Sequence, residues 1–385
     1  MVARAPAAAL VAVLLARLAD ETAFFLPSGT LESFRADLGL TYAQAGTVLA
    51  VVAPGAVAGG VFAAAADRRS RRGIAAGGAA GFAIALAAFG LGASFPVLLA
   101  AAFLMGCAST AMVDGVEVAL VDLAGDDLRH YLARANLLGA LGDLVGPALV
   151  AGVALAGLSW RSAFLVAAVL MALYAALLAS VPLPPPPGEE DDGRQTSASM
   201  VWTVVRDRRV WLLALVGLLM EPFDEPLVGF TIALVERVRG ASASTATVVT
   251  FVGLAGGVLT YAVLARRLAQ WSEGALLMRG AVMMTAAAAV IALVPVVAVV
   301  ALAAFAASVG LNLAWLGLQH RTLTLRPGQV GTTNAVLSTI EFSGFWIPAA
   351  IGAAADAAGL VVAVGSYALL GTLMVGLTGA LRRLE

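Results

Sequence analysis

The sequence predicts an all-α membrane protein with twelve transmembrane helices, arranged as two pseudo-symmetric bundles of six. The first observation is composition, since 61% of the 385 residues are hydrophobic and 12% are charged, about half the charged share of a soluble domain. The second is that apolar stretches of about 20 residues, long enough to cross a bilayer, follow one another along the chain. Because lipid offers the backbone no hydrogen-bond partners, spans of this length must be helices.

One long hydrophilic segment separates the predicted spans into two halves. We predict an N-terminal six-helix bundle at residues 1–183, a cytoplasmic linker at 184–209 and a C-terminal six-helix bundle at 210–385. The linker holds four consecutive prolines and four consecutive acids, which favour an extended segment, and then a short surface helix near Trp202. The predicted spans are 7–28, 43–66, 74–94, 97–123, 134–156, 162–183, 210–234, 245–265, 275–296, 298–320, 332–354 and 358–381.

Arginine placement predicts the orientation of the chain in the membrane. All 23 basic side chains are arginine, and the loops on the side of both termini hold most of them. The loops on the opposite side hold Arg35, Arg161, Arg237 and Arg239. Since cytoplasmic loops carry the excess of basic residues, we expect a multi-pass protein of the plasma or inner membrane with both termini in the cytoplasm.

Charged residues inside the first span recur in the second half, which indicates an internal duplication. The first-span triad and its counterparts at an offset of 204 are Arg17, Asp20, Glu21 and Glu221, Asp224, Glu225. A second series and its counterparts at an offset of 198 are Asn136, Asp143, Gly146 and Asn334, Glu341, Gly344. Ionisable groups at bilayer depth cost roughly 2.5 to 3.5 kcal/mol each on insertion scales, so repeated carboxylates there indicate a functional site.

The deep acids concentrate in spans 1, 4, 5, 7 and 11, whereas spans 3, 6, 9 and 12 carry none. In span 4, Asp114 and Glu117 share one helical face, and Asn312 is the repeat counterpart of Asp114. We therefore predict a central acidic cavity that favours cations, protons or zwitterions over anions, with Arg17 as its one deep base. The nine deep acids are Asp20, Glu21, Asp114, Glu117, Asp143, Glu221, Asp224, Glu225 and Glu341.

The loop between spans 2 and 3 carries a recognisable motif. Its residues are Gly60, Asp67, Arg68, Ser70, Arg71, Arg72 and Gly73. This pattern resembles the signature loop G-x-x-x-D-R-x-G-R-R of the major facilitator superfamily of secondary transporters, with serine in place of the glycine. The resemblance covers the whole chain and implies the fold of that superfamily. It also implies a gating role on the cytoplasmic side for Asp67, Arg68, Arg71 and Arg72, and the alternative is a basic anchor with no gating role.

Span 5 carries a second motif, in which Gly142, Gly146 and Pro147 resemble the glycine-proline motif of the drug/proton antiporter branch. Trp160 and Arg161, with Phe164 three residues on, resemble the W-R-x-x-F that often follows it. The resemblance implies an exporter whose fifth span flexes. The alternative is simple packing, since glycines let two membrane helices approach closely. The arginine that the branch usually carries in span 4 has no match here.

These observations together favour a secondary transporter that works by alternating access. We expect proton-coupled export of a cationic or amphipathic small molecule, in which the triad acids of both halves alternate between protons and substrate. Asp143 and Glu341 are further candidate proton sites. The alternatives are an uptake symporter for a polar or zwitterionic solute, a carboxylate-based carrier of a divalent cation, and a membrane sensor without transport.

Several other classes of function are excluded or disfavoured by the sequence. A lysine-free chain holds no phosphate-binding loop, which argues against a nucleotide-driven pump. We find no nucleophile elbow and no basic nucleic-acid patch, so we expect neither an enzyme nor a nucleic-acid partner. His130 and His320 form no close ligand pair with Cys107, so no metal site or cofactor is predicted. The expected partners are a small-molecule substrate, protons and the lipid bilayer, with the protein a monomer.

Overall fold

The computed structural model describes residues 7–64, 71–124, 128–183, 198–264, 271–326 and 330–384, and all regular secondary structure in these ranges is helical. Contacts divide the chain into two compact units. The first comprises Met1–Leu40 and Thr47–Glu190, and the second comprises Thr41–Gly46 and Asp191–Glu385. The bundles at 1–183 and 210–385 and the linker at 184–209 stay predictions, and residues 184–197 lie outside the described ranges.

The described helices follow the predicted apolar stretches closely. Before the central hydrophilic segment they are α1 (Ala7–Gly29), α2 (Leu31–Asp37), α3 (Tyr42–Ala50), α4 (Val52–Ala64), α5 (Arg71–Leu91), α6 (Phe95–Ala124), α7 (Leu128–Leu155) and α8 (Trp160–Ser180). After it they are α9 (Ala198–Val205), α10 (Arg208–Met220), α11 (Glu225–Arg237), α12 (Ala243–Leu259), α13 (Glu273–Leu293), α14 (Val297–Leu325), α15 (Val330–Phe342), α16 (Ile347–Ala358) and α17 (Leu360–Arg382). The short surface helix predicted near Trp202 is α9.

Ten helical stretches in the described residues are long and apolar enough to cross a membrane. The two predicted spans outside this set are α1 and the broken pair α10 and α11, which are the spans that carry the charged triads. The polar residues of the repeated site are thus what lowers the apolar character of these two segments. The count of twelve spans stays a prediction.

Glycine allows close helix packing in the first unit. Gly55 and Gly59 on α4 lie against the α6 backbone at Phe103 and Cys107. A Cβ at Gly59 would lie 3.0 Å from the Cys107 Cα. The two helices are therefore too close at this point for any side chain larger than that of glycine at position 59. The same closeness joins α5 to α6, where a Cβ at Gly78 would lie 2.9 Å from the Met112 Cα. This position indicates that Cys107 serves helix packing.

The W-R-x-x-F segment at the start of α8 closes one end of the first unit. Arg161 donates hydrogen bonds to the carbonyl oxygens of Gly90 at 3.1 Å and Gly92 at 2.5 Å, and its other nitrogen pairs with Asp37 at 2.9 Å. Its guanidinium also lies 4.5 Å from the Trp160 ring centroid. These contacts cap the carbonyls at the end of α5, so the segment has a structural role here.

Two spans of the second unit are interrupted near proline. A 3₁₀ turn at Glu221–Phe223 separates α10 from α11, and α11 begins with Glu225 and Pro226. A non-helical turn after Phe342 separates α15 from α16, which has Pro348 in its first turn. Proline supplies no backbone N–H and so favours a break at these positions, although α7 continues through Pro147. Both breaks adjoin deep acids.

Candidate functional site

An ion pair joins α1 to α6 in the first unit. Arg17 donates a hydrogen bond from Nη2 to Glu117 Oε1. Its other terminal nitrogen lies 3.9 Å from Glu21 Oε1, one helical turn away. Arg17 has one partner within its own helix and a closer one on α6. Arg17 therefore compensates acids from two helices.

Asp20 lies deeper than the rest of its triad and has a different partner. Its side chain is 7% exposed. The Ser109 hydroxyl on α6 donates to Asp20 Oδ1 at 2.6 Å. Asp20 and Glu21 therefore make separate contacts, one with a hydroxyl and one with a guanidinium, although they are adjacent in sequence.

A small cavity adjoins the ion pair. It measures about 20 Å³ and is lined by Arg17, Glu117, Asn136 and apolar residues of α1, α6 and α7. A space of this size holds about one or two water molecules. Asp114 is half-buried on α6 but does not line it. This first-unit cavity can hydrate the ion pair, and it is too small for an organic substrate.

The predicted glycine-proline helix lies against the triad of α1. A Cβ at Gly142 would lie 2.8 Å from the Leu18 carbonyl oxygen and 2.9 Å from Glu21 Cβ. A Cβ at Gly146 would lie 2.8 Å from Phe25 Cβ. Helix α7 continues through Pro147, and Asp143 on the same helix is half-buried. The glycines therefore set the distance between α7 and the charged face of α1.

The second triad occupies the break between α10 and α11. Glu221 begins the 3₁₀ turn, Asp224 precedes α11, and Glu225 is half-buried in the first turn of α11. Glu221 and Asp224 are exposed, while Phe223 between them packs edge-on against Tyr367 at 5.4 Å between ring centroids. Within the described residues neither Glu221 nor Asp224 forms an ion pair. The arginine of the first triad therefore has no equivalent in the second.

Glu341 on α15 also lies beside α10. Its carboxyl group occupies the space that a side chain at Gly217 would fill, since a Cβ there would lie 2.7 Å from Glu341 Cδ. Like Glu221 and Asp224, it makes no ion pair with a described residue. Asn312 is placed differently, because it donates to the Ser308 carbonyl oxygen at 2.8 Å and lies against Gly257 of α12. The structure brings Glu341 to α10, while the Asn312 amide is engaged with its own helix.

A larger cavity lies in the second unit next to Asp224. It measures about 50 Å³. Its walls come from α11, α12, α13 and α14 and are mostly apolar, with Asp224, Thr231, Thr250 and Ser308 as the polar members. A mostly apolar pocket with a few placed polar groups is typical of small-molecule sites. No group of three or more His, Cys, Asp or Glu in the described ranges is arranged to hold a metal ion.

With this geometry in place, comparison with known proteins identifies the family. A sequence model of the Major Facilitator Superfamily matches residues 12–348. The chain belongs to this superfamily. Membership indicates a multi-pass membrane transporter of a small molecule rather than an enzyme. A comparison with curated proteins returns no match.

Solved structures of Major Facilitator transporters share the fold over nearly the whole chain. The nucleoside transporter NupG has a TM-score of 0.78 at 12% identity and covers 97% of this chain and 98% of its own. A D-xylose-proton symporter has a TM-score of 0.76 at 14% identity, with 96% of each chain covered. A bacterial homologue of the human lysosomal transporter Spinster has a TM-score of 0.73 at 17% identity, with 97% of this chain and 96% of its own covered. At these identities the likeness establishes the fold alone.

The superfamily's signature loop is described only in part. Asp67 and Arg68 lie outside the described residues. Arg71 is 4% exposed and hydrogen-bonds Asp122 at the end of α6, and Arg72 is exposed. The Arg71 pair therefore fastens the ends of α5 and α6 to each other inside the first unit. A gating role for Asp67, Arg68, Arg71 and Arg72 stays a prediction.

The second unit repeats this fastening with the charges exchanged, which sequence reasoning missed. Glu273 at the start of α13 lies 2.6 Å from His320 Nδ1 and 3.2 Å from Arg321 Nη1 at the end of α14. His320 stands 198 positions after Asp122, the offset of the other repeats. That offset applied to Asp122 would have located the pair. Ser109 and Thr231 gave no comparable sequence pattern, because a lone hydroxyl in a membrane helix is common.

Proposed function

We propose that the protein is a secondary active transporter that exports a cationic or amphipathic small molecule in exchange for protons. The observation that carries the proposal is the set of three second-unit carboxylates, Glu221, Asp224 and Glu341, which form no ion pair with a described residue. An unpaired carboxylate at membrane depth is costly as an anion. A proton or a cationic substrate removes that cost, and each displaces the other.

The two units contribute differently to this exchange. In the first unit Arg17 pairs with Glu117 and Glu21, so two of the acids there are already compensated. In the second unit Glu221 stands at the position of that arginine. We therefore assign proton and substrate exchange chiefly to Glu221, Asp224 and Glu341. Asp20, Asp114, Asp143 and Glu225 are further proton sites in the proposal.

Export and membership of the drug/proton antiporter branch rest on the glycine-proline helix. The close approach of Gly142 and Gly146 to α1 places this motif beside the first triad. A movement of α7 would therefore displace Glu21, because the Glu21 Cβ lies against Gly142. The proposal includes the plasma or inner membrane, cytoplasmic termini and a monomer.

The test uses the full chain reconstituted in liposomes with an acidic lumen and ethidium outside. Exchange of cations for protons predicts accumulation of ethidium in the lumen, abolished by a protonophore. Glu221→Gln and Asp224→Asn should each slow accumulation about tenfold or more, the loss expected for a charged contact. Asp37→Asn, which alters an exposed acid paired with Arg161, is the matched control.

Two results would contradict the proposal. One is ethidium movement that ignores the proton gradient in the wild-type protein. The other is unchanged transport in both Glu221→Gln and Asp224→Asn at wild-type protein levels. Movement of substrate and protons in the same direction would instead identify an uptake symporter.

A further inference from the structure

One wall of the second-unit cavity follows α11. Asp224, Leu227, Val228 and Thr231 all line it. These positions are i, i+3, i+4 and i+7, so they form one stripe along the face of α11. At 1.5 Å rise per residue, Asp224 and Thr231 are about 10 Å apart along the helix axis. A carboxylate and a hydroxyl therefore mark two separated points on one apolar wall.

Thr231 has an unmatched hydroxyl. The side chain is 5% exposed, and its Oγ1 has no hydrogen-bond partner. Several other threonines of the second unit donate to the carbonyl one turn earlier, as Thr250 does to Ala246 at 3.0 Å and Thr247 does to Ala243 at 2.9 Å. Thr333 and Thr378 also lack a partner, but neither lines this cavity. A buried hydroxyl without a partner is uncommon and costs free energy. Ligand binding would supply the missing partner.

The opposite wall of the cavity is mostly apolar, with Thr250 and Ser308 as its polar members. It includes Val249 and Leu254 of α12, Ile291 of α13 and Leu311 of α14. The volume of about 50 Å³ corresponds to about three to five water molecules. Such a space suits a slender aliphatic chain.

We propose that this cavity binds a linear aliphatic amine that carries a neutral hydroxyl at its far end. The ammonium group pairs with Asp224, the chain lies along Leu227 and Val228, and the hydroxyl hydrogen-bonds Thr231. After a hydrogen bond at each end, the separation of about 10 Å leaves room for about four to six carbons. This inference rests on the proposed function and assigns one class of cationic substrate to this cavity.

A neutral distal group fits Thr231 better than a second ammonium does. No acid other than Asp224 lines the cavity, so a second charge beside Thr231 would be buried without compensation. A hydroxyl can both donate to and accept from Thr231. The ammonium end must have N–H groups to donate to Asp224, which a quaternary ammonium lacks. These requirements specify an amino alcohol with a primary amine.

The test measures binding to the purified full-length protein in detergent by titration calorimetry, with aminohexanol, hexylamine, hexanol and tetraethylammonium as ligands. Aminohexanol should bind about fivefold more tightly than hexylamine, the gain expected from one neutral hydrogen bond. Hexanol and tetraethylammonium should bind at least about tenfold more weakly than aminohexanol, since hexanol has no charge and tetraethylammonium has no N–H group to donate to Asp224. Asp224→Asn should weaken both amines about tenfold or more for the same reason.

Thr231 variants isolate the hydroxyl contact. Thr231→Val should abolish the preference for aminohexanol and leave hexylamine affinity within about twofold, while Thr231→Ser should retain the preference. Thr247→Val is the matched control, because it removes a hydroxyl outside the cavity. Equal binding of the two amines to wild-type protein would overturn the inference, as would a preference that survives Thr231→Val.

Binding and transport separate the two proposals. Proton-driven ethidium accumulation without an aminohexanol preference would overturn the cavity assignment alone. An aminohexanol preference in a protein that moves no ethidium under a proton gradient would overturn the proposed exchange alone. The wild-type comparison decides the cavity assignment even if a Thr231 variant fails to fold.

Discussion

Arg17 on α1 hydrogen-bonds Glu117 on α6, across 100 positions of sequence. Both side chains are partly exposed, at 33% and 45%, so solvent screens the pair and its coupling energy should be modest, at about 1 kcal/mol. A double-mutant cycle with Arg17→Gln and Glu117→Gln, read by thermal unfolding in detergent, measures that coupling. The double variant should lose less stability than the sum of the single variants. Strictly additive losses would show that the contact contributes nothing.

The approach of α7 to α1 predicts opposite effects for two alanine substitutions in one helix. Gly142→Ala should lower the unfolding free energy by about 1–3 kcal/mol, because the new Cβ would press on Leu18 and Glu21. Gly152→Ala meets nothing within 4 Å and should be neutral or stabilising by up to about 1 kcal/mol. Both are measured by thermal unfolding. Equal behaviour of the two variants would argue against the close packing.

Because the Glu341 carboxyl group lies against Gly217 of α10, an alanine at position 217 should impair transport. Gly217→Ala should displace the Glu341 carboxyl group and slow ethidium accumulation in the liposome assay to the level of Glu341→Gln, about tenfold or more if the carboxylate exchanges protons. Gly376→Ala in α17, which meets nothing within 4 Å, is the control. Normal transport by a folded Gly217→Ala protein would separate Glu341 from the exchange.

The ion pair between Arg71 on α5 and Asp122 on α6 predicts that removing either charge lowers the stability of the protein. Asp122→Asn should leave the buried Arg71 guanidinium unpaired and destabilise the protein by about 1–3 kcal/mol. Arg71→Glu should do at least as much damage, and combining it with Asp122→Arg should recover part of the loss. Arg72→Gln, at an exposed neighbour, should stay within about 0.5 kcal/mol of wild type. Unfolding temperatures of the four proteins give the answer.

The positions of the helices can be predicted from the sequence because they depend on a local pattern, the length of each apolar stretch. Apolar length specifies where helices lie, and prolines lie near the breaks that follow α10 and α15. The placement of the deep acids also follows, since Asp20 and Glu341 are identified by their cost in lipid and by their repeat offsets. Membership of the Major Facilitator Superfamily, indicated by the signature loop, is confirmed. The drug/proton antiporter branch stays part of the proposal.

Partners across helices could not be predicted in the same way. That Arg17 reaches Glu117, and Ser109 reaches Asp20, depends on how α1 and α6 rotate against each other. Hydrophobic periodicity does not fix that rotation in lipid, where most faces of a helix are apolar. The unmatched hydroxyl of Thr231 is likewise a property of packing, because the residue type gives no sign of it. Only the three-dimensional structure shows that Thr231 lacks the hydrogen bond that Thr250 makes.

The exchanged charges of Arg71–Asp122 and Glu273–Arg321 bear on how the chain assembles as it enters the bilayer. Two similar hairpins in one chain risk pairing with the wrong copy. If α5 met α14, Arg71 would face Arg321, and if α13 met α6, Glu273 would face Asp122. Like charges repel in both wrong combinations and attract in both right ones. The inverted polarity therefore makes each wrong pairing of these helices less favourable than the right one.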